Sequence, residues 1–161
     1  MKSYLTILFL VFNLTNCLSQ TITTTFNVND SIKLTLTRSD FIPDKNQIEL
    51  NEENVVIGIN GRPVFGSDGE TPKFVLTNAI LKLNNTSYNL QTDDMYNPWF
   101  GSLPIERAFI IKTNGPYFYL RSYFSDGAGT YAAEWLFQGK SCIRTILTND
   151  DWIFEYFGND K

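Results

Sequence analysis

Tyr117, Tyr119, Arg121 and Tyr123 occupy alternate positions in the run Tyr117-Phe118-Tyr119-Leu120-Arg121-Ser122-Tyr123-Phe124. Successive side chains on a strand point to opposite faces, so these four share one face and Phe118, Leu120, Ser122 and Phe124 share the other. The second set is the natural core face. The first set suits recognition, because Tyr and Arg bury a large area while keeping a polar end. Tyr117, Tyr119, Arg121 and Tyr123 are therefore the first candidates for partner binding. Tyr96 and Trp99 join them from the loop Met95-Tyr96-Asn97-Pro98-Trp99-Phe100-Gly101. Aromatic rings on a Pro- and Gly-punctuated loop suit a sugar or a protein groove. The competing expectation is a loop that folds back and plugs one end of a β core.

Catalytic chemistry has little to work with. The chain has no histidine, which removes the commonest metal ligand and the commonest general base near neutral pH. It has neither a nucleophile elbow nor a phosphate-cradling glycine loop ahead of a helix. A glycoside hydrolase can run on two carboxylates alone, but nothing in the spacing singles out a pair among the 17 acidic residues. Glu134 reads as a solvated cross-strand partner of Arg121, a type of contact worth little. Asp93, Asp94, Asp126, Asp150, Asp151 and Glu155 are oxygen donors of the kind calcium needs, yet they lack the spacing of a calcium loop. Several of them read as turn residues. No catalytic residue, metal or cofactor is expected. A formal charge of −4 also argues against nucleic acid, which needs a concentrated positive surface.

The first residues read as a signal peptide, residues 1–19. Lys2 precedes the apolar run Tyr4 to Phe12, which has the length of a secretory h-region and is too short to span a bilayer. Cleavage after Ser19 gives a secreted chain. Alternatively, Leu14-Thr15-Asn16-Cys17 reads as a loose lipobox that makes Cys17 a lipidated N-terminus, the one route to a membrane. The leader, ending in Cys17-Leu18-Ser19-Gln20, resembles those of exported proteins from Gram-negative bacteria of the Bacteroidetes type. Residues 20–161 then form one β-rich domain with a single cysteine, Cys142, so it relies on its core rather than on a disulfide. Cys142 lies in an alternating apolar run and reads as a structural strand residue.

Turn signals are frequent along the rest of the chain and helix signals are scarce. Thr21 to Val28 and Ser31 to Thr37 flank Asn29-Asp30 as a hairpin. Residues 38–53 read as a polar excursion with a weak helix signal. Hairpins follow around Asn60-Gly61 and around Asn84-Asn85. Ile105 to Thr113, Tyr117 to Phe124, Thr130 to Phe137 and Lys140 to Thr148 form a meander of four sequential strands. Tyr131, Ala133, Trp135 and Phe137 make its second core face. Trp152 to Phe157 reads either as a capped helical turn or as a last aromatic strand. The expectation is an all-β fold, an antiparallel sandwich or open barrel of about nine or ten strands.

These readings converge on an exported, monomeric, non-enzymatic binding protein of the periplasm, cell surface or extracellular space. A protein partner is expected, in an inhibitor or immunity-type role. The alternative is a carbohydrate-binding β-sandwich that takes a glycan, and a carboxylate-only hydrolase ranks third.

Overall fold

The computed structural model describes residues 20–98, 109–125 and 127–158. The leader, including Cys17, lies outside the described residues, as do Trp99, the segment 100–108 and Asp126.

β1 (Thr21–Asn29) and β2 (Ile32–Asp40) form the first hairpin. Their outward Thr and Ser hydroxyls pair across the strands, Thr23 with Thr37 and Thr25 with Thr35 at 2.9 Å. β6 (Phe74–Leu83) and β7 (Thr86–Asn89) complete a four-stranded antiparallel sheet in the order β1-β2-β6-β7. The polar excursion holds β3 (Ile48–Leu50), where the weak helix signal gives way to a short strand. It pairs with β4 (Val56–Ile59), and β4 pairs with β5 (Arg62–Pro63). Asn60 and Gly61, at φ of 56° and 74°, make the β4–β5 turn, the geometry that Asn-Gly favours in a two-residue hairpin.

The meander is as expected: β8 (Phe109–Asn114), β9 (Tyr117–Phe124), β10 (Tyr131–Gln138) and β11 (Ser141–Thr148) pair in sequence. The two four-stranded sheets share one apolar core. Leu34, Leu36, Leu76, Ala79 and Leu81 of the first sheet meet Leu120, Phe124, Ala133, Trp135 and Phe137 of the second. Stacked Phe118 and Phe137 rings, 4.2 Å apart, and the edge-on contact of Tyr88 with Phe137 fill the space between them. The fold is thus all-β and sandwich-like, with eleven strands among the described residues.

The segment after β11 is a helix, α1 (Asp151–Gly158), rather than an aromatic strand. Ile153 and Phe157 recur four residues apart and lie at 0% exposure against Ala132, on the face of the second sheet turned away from the sandwich core. The Asp150 N–H donates to the Thr148 hydroxyl at 3.1 Å just ahead of the helix, and Asp151 sits in the first turn, where a negative charge faces the positive end of the helix dipole.

Candidate functional site

Cross-strand register decides what lies beneath α1. Glu134 on β10 stands directly opposite Arg121 on β9. Arg121 Nε donates to Glu134 Oε2 at 2.7 Å, with the two side chains only 6% and 7% exposed. This corrects the solvated pair expected from the sequence: the strands place the pair as read, but α1 covers it. The other Glu134 oxygen accepts from the Thr145 hydroxyl at 2.6 Å. Arg121 Nη2 donates to the Tyr156 hydroxyl at 3.0 Å. The guanidinium also lies 4.6 Å from the Tyr156 ring centre and 4.9 Å from that of Phe157. A charge this buried persists only when paired and bonded, and here both partners are.

Thr145 reaches the pair through a β-bulge. Glu134 pairs with Ile146 and Trp135 with Arg144, leaving Thr145 as the extra residue on β11. The bulge reverses the strand's facing, so Cys142 packs on the sandwich core while Ile146 packs under α1. On the core side, burial pushes the Cys142 thiol up to about 11. A thiol held neutral reacts slowly, because the thiolate is the nucleophile. Alkylation of Cys142 in the folded chain at pH 8 is therefore expected to be slow and to accelerate sharply in denaturant. Its contribution to stability is full below the unfolded thiol's pKa and is lost as pH rises from there toward about 11, because the unfolded thiol ionises while the folded one stays neutral. Cys142→Ser is expected to leave any binding intact.

Beside α1 runs an open groove of about 520 Å³, lined by Lys112, Thr113 and Asn114 of β8, Tyr119 and Arg121 of β9, Glu134, Ile146 and Tyr156. Tyr119 is half-buried in its wall and Lys112 pairs with it across the strands. On α1, Trp152 is 61% exposed and Tyr156 is 47% exposed, with ring centres 6.3 Å apart. Neither was singled out by sequence reasoning. The available signal was helical spacing: Trp152 and Tyr156 stand four apart, as do the buried Ile153 and Phe157, on an adjoining face.

The six expected partner-binding residues therefore separate. Tyr119 lines the groove. Tyr117 is half-buried on the same strand, its hydroxyl 3.5 Å from Gln138 Nε2. Arg121 forms the groove floor but is 5% exposed. Tyr123 is covered by the helix, its ring packed at a tilt against those of Phe154 and Phe157 and its hydroxyl donating to the Phe154 carbonyl at 3.1 Å. Burial raises its phenol pKa, partly offset by Arg121. Trp99 lies outside the described residues.

Tyr96 lies elsewhere and is 7% exposed, edge-on to Phe41 at 5.6 Å. Burial, with help from Asp94 and against Arg62, raises its phenol pKa. Met95 beside it is fully buried. Asn97 Oδ1 accepts from the N–H groups of Lys73 and Phe74, and its Nδ2 donates to the Gly66 carbonyl. Gly66, at φ +96°, has no room for a Cβ, which would collide with the Tyr96 carbonyl oxygen. The described part of the aromatic loop is thus a plug, the competing expectation, and Tyr96 is not displayed for binding.

Of the acidic residues, Asp94 pairs with Arg62 at 3.6 Å. Among the described residues no three His, Cys, Asp or Glu side chains gather as a metal site. The fold and the groove define a small, sandwich-like all-β protein with an aromatic, ion-pair-floored cleft beside its α-helix. No family model matches the chain, and no curated protein or solved structure matches it either.

Proposed function

We propose that this chain is an exported, non-enzymatic binding protein whose partner is a protein, bound at the groove between β8–β9 and α1. The carrying observation is the groove's make-up: Tyr119 and Tyr156 as aromatic walls, Trp152 exposed beside them, and Lys112 at the rim above the buried Arg121–Glu134 pair. Rigid aromatic anchors with a polar end are the residues that dominate protein interfaces. Among the described residues the one carboxylate lining the groove, Glu134, is already held by Arg121 and Thr145, which favours binding over acid–base work. An inhibitor or immunity-type role, exercised by a monomer in the periplasm or at the cell surface, is the specific form of this reading.

Affinity capture from the source's envelope and secreted fractions tests it, with residues 20–161 as bait beside a Tyr119→Ala/Trp152→Ala variant. Both changes fall on exposed or half-buried rings, so the variant is expected to stay folded by circular dichroism. One stoichiometric protein retained by the parent and lost with the variant is the expected result. Polysaccharide retained without protein would replace this reading with the carbohydrate-binding one.

A further inference from the structure

Two Asn-Gly pairs lie at hairpins of this fold: Asn60-Gly61 is the turn between β4 and β5, whereas Asn114, the last residue of β8 and paired with Tyr117, leads into the Gly115-Pro116 turn to β9. Asn-Gly is the dipeptide most open to spontaneous deamidation. Glycine offers no side chain to hinder its nitrogen, which attacks the asparagine side-chain carbonyl. The structure treats the two sites differently. At the first, Asn60 Oδ1 accepts from the Gln47 N–H at 2.8 Å, and Asn60 Nδ2 donates to Asn46 Oδ1 at 2.8 Å. The attacking group is held too: the Gly61 N–H donates to Glu49 Oε1 at 2.8 Å. A carboxylate against that N–H disfavours the amide anion the reaction needs, because like charges would meet. At the second site none of these restraints operates. Asn114 and Gly115 are exposed, and among the described residues the Asn114 side chain makes no hydrogen bond.

We propose that Asn114 is a site of spontaneous covalent modification, while Asn60 is protected by its hydrogen bonds. The Gly115 nitrogen loses its proton to solvent base and bonds to Asn114 Cγ. The Cγ–Nδ2 bond breaks and ammonia leaves, giving a cyclic succinimide. Water then opens the ring at either carbonyl, yielding aspartate or isoaspartate. The net change is hydrolysis of an amide, with water as the only co-reactant and no redox step. Asn114 lies on the groove rim beside Lys112, so the product places a carboxylate where the lining otherwise carries two cations against Glu134. That effect on binding rests on the proposed function, but the reaction itself does not.

The test is peptide mass spectrometry of residues 20–161 incubated at mildly alkaline pH, with the amide-to-acid mass change followed at both sites. In the folded chain Asn114 is expected to convert faster by about tenfold or more, since two or three hydrogen bonds must be released at Asn60 first. In urea the two rates are expected to converge. An Asn46→Ala variant, shown folded by circular dichroism, is expected to speed conversion at Asn60 and leave Asn114 unchanged. Equal rates in the folded parent, or faster conversion at Asn60, would overturn the proposal. Faster loss at Asn114 with unchanged partner capture by the converted protein would instead leave the modification standing and count against the groove as the binding site.

Discussion

Arg121→Ala is expected to destabilise the chain by about 3–5 kcal/mol, the usual cost of removing one partner from a buried ion pair. The loss of packing beneath Tyr156 and Phe157 adds to the lost charge. The change strands the Glu134 carboxylate, 7% exposed, with the Thr145 hydroxyl as its one remaining side-chain partner among the described residues. It also removes the donor to Tyr156 and the cation beneath two rings. Urea unfolding measures the effect as a drop in midpoint at unchanged slope. The double change Arg121→Leu/Glu134→Leu separates the penalty from the pair's net value. Burying two apolar chains in place of a salt bridge is often neutral or stabilising, so the double variant is expected to recover most of the loss. If Arg121→Ala costs under about 1 kcal/mol, the pair is solvated, as surface pairs are, and α1 does not cover it in solution. For the same reason Arg121→Ala is a poor probe of binding: it would confuse lost contact with lost fold.

Arg121 also marks the limit of what the sequence makes legible. Alternation along Tyr117–Phe124 assigned both faces correctly, because a period of two follows from strand geometry alone and Leu120 and Phe124 are indeed buried in the core. The same pattern cannot say what covers the second face. Here the cover is α1, which arrives from the end of the chain and turns Arg121 and Tyr123 from displayed residues into supporting ones. The bulge at Thr145 was hidden for a related reason. One extra residue breaks the alternation, so Cys142 and Ile146, four residues apart, pack on opposite sides of the sheet, a step that a period of two does not anticipate. Turn chemistry was the most legible feature, since Asn60-Gly61 specifies its geometry within the dipeptide. Tyr96 was ambiguous because a plug and a binding loop share the same composition. Only the partners of Asn97 on β6 and at Gly66 decide between them.

Phe157→Ala is expected to release α1 while leaving the sandwich folded. Truncating a fully buried Phe ordinarily costs about 3–5 kcal/mol, but a helix of eight residues is marginal in water without tertiary contacts. Phe157 is its largest fully buried anchor, packed with Ile153 on Ala132 and against the Tyr123 ring. With that anchor gone, undocking becomes cheaper than keeping a cavity, so the loss of stability stops at the helix's docking free energy. Hydrogen exchange distinguishes the outcomes. Amides of Asp151–Gly158 are expected to lose protection, while those of β9 and β10, the inner strands of their sheet, keep theirs. Because α1 supplies Trp152 and Tyr156 to the groove, partner capture is expected to fail in a protein whose core remains native. Uniform loss of protection across all strands would mean that α1 is part of the cooperative fold rather than a docked wall of the groove. Retained capture with an unprotected helix would move the binding face off α1 and onto the strands alone, with Tyr119 and Lys112 as its remaining anchors.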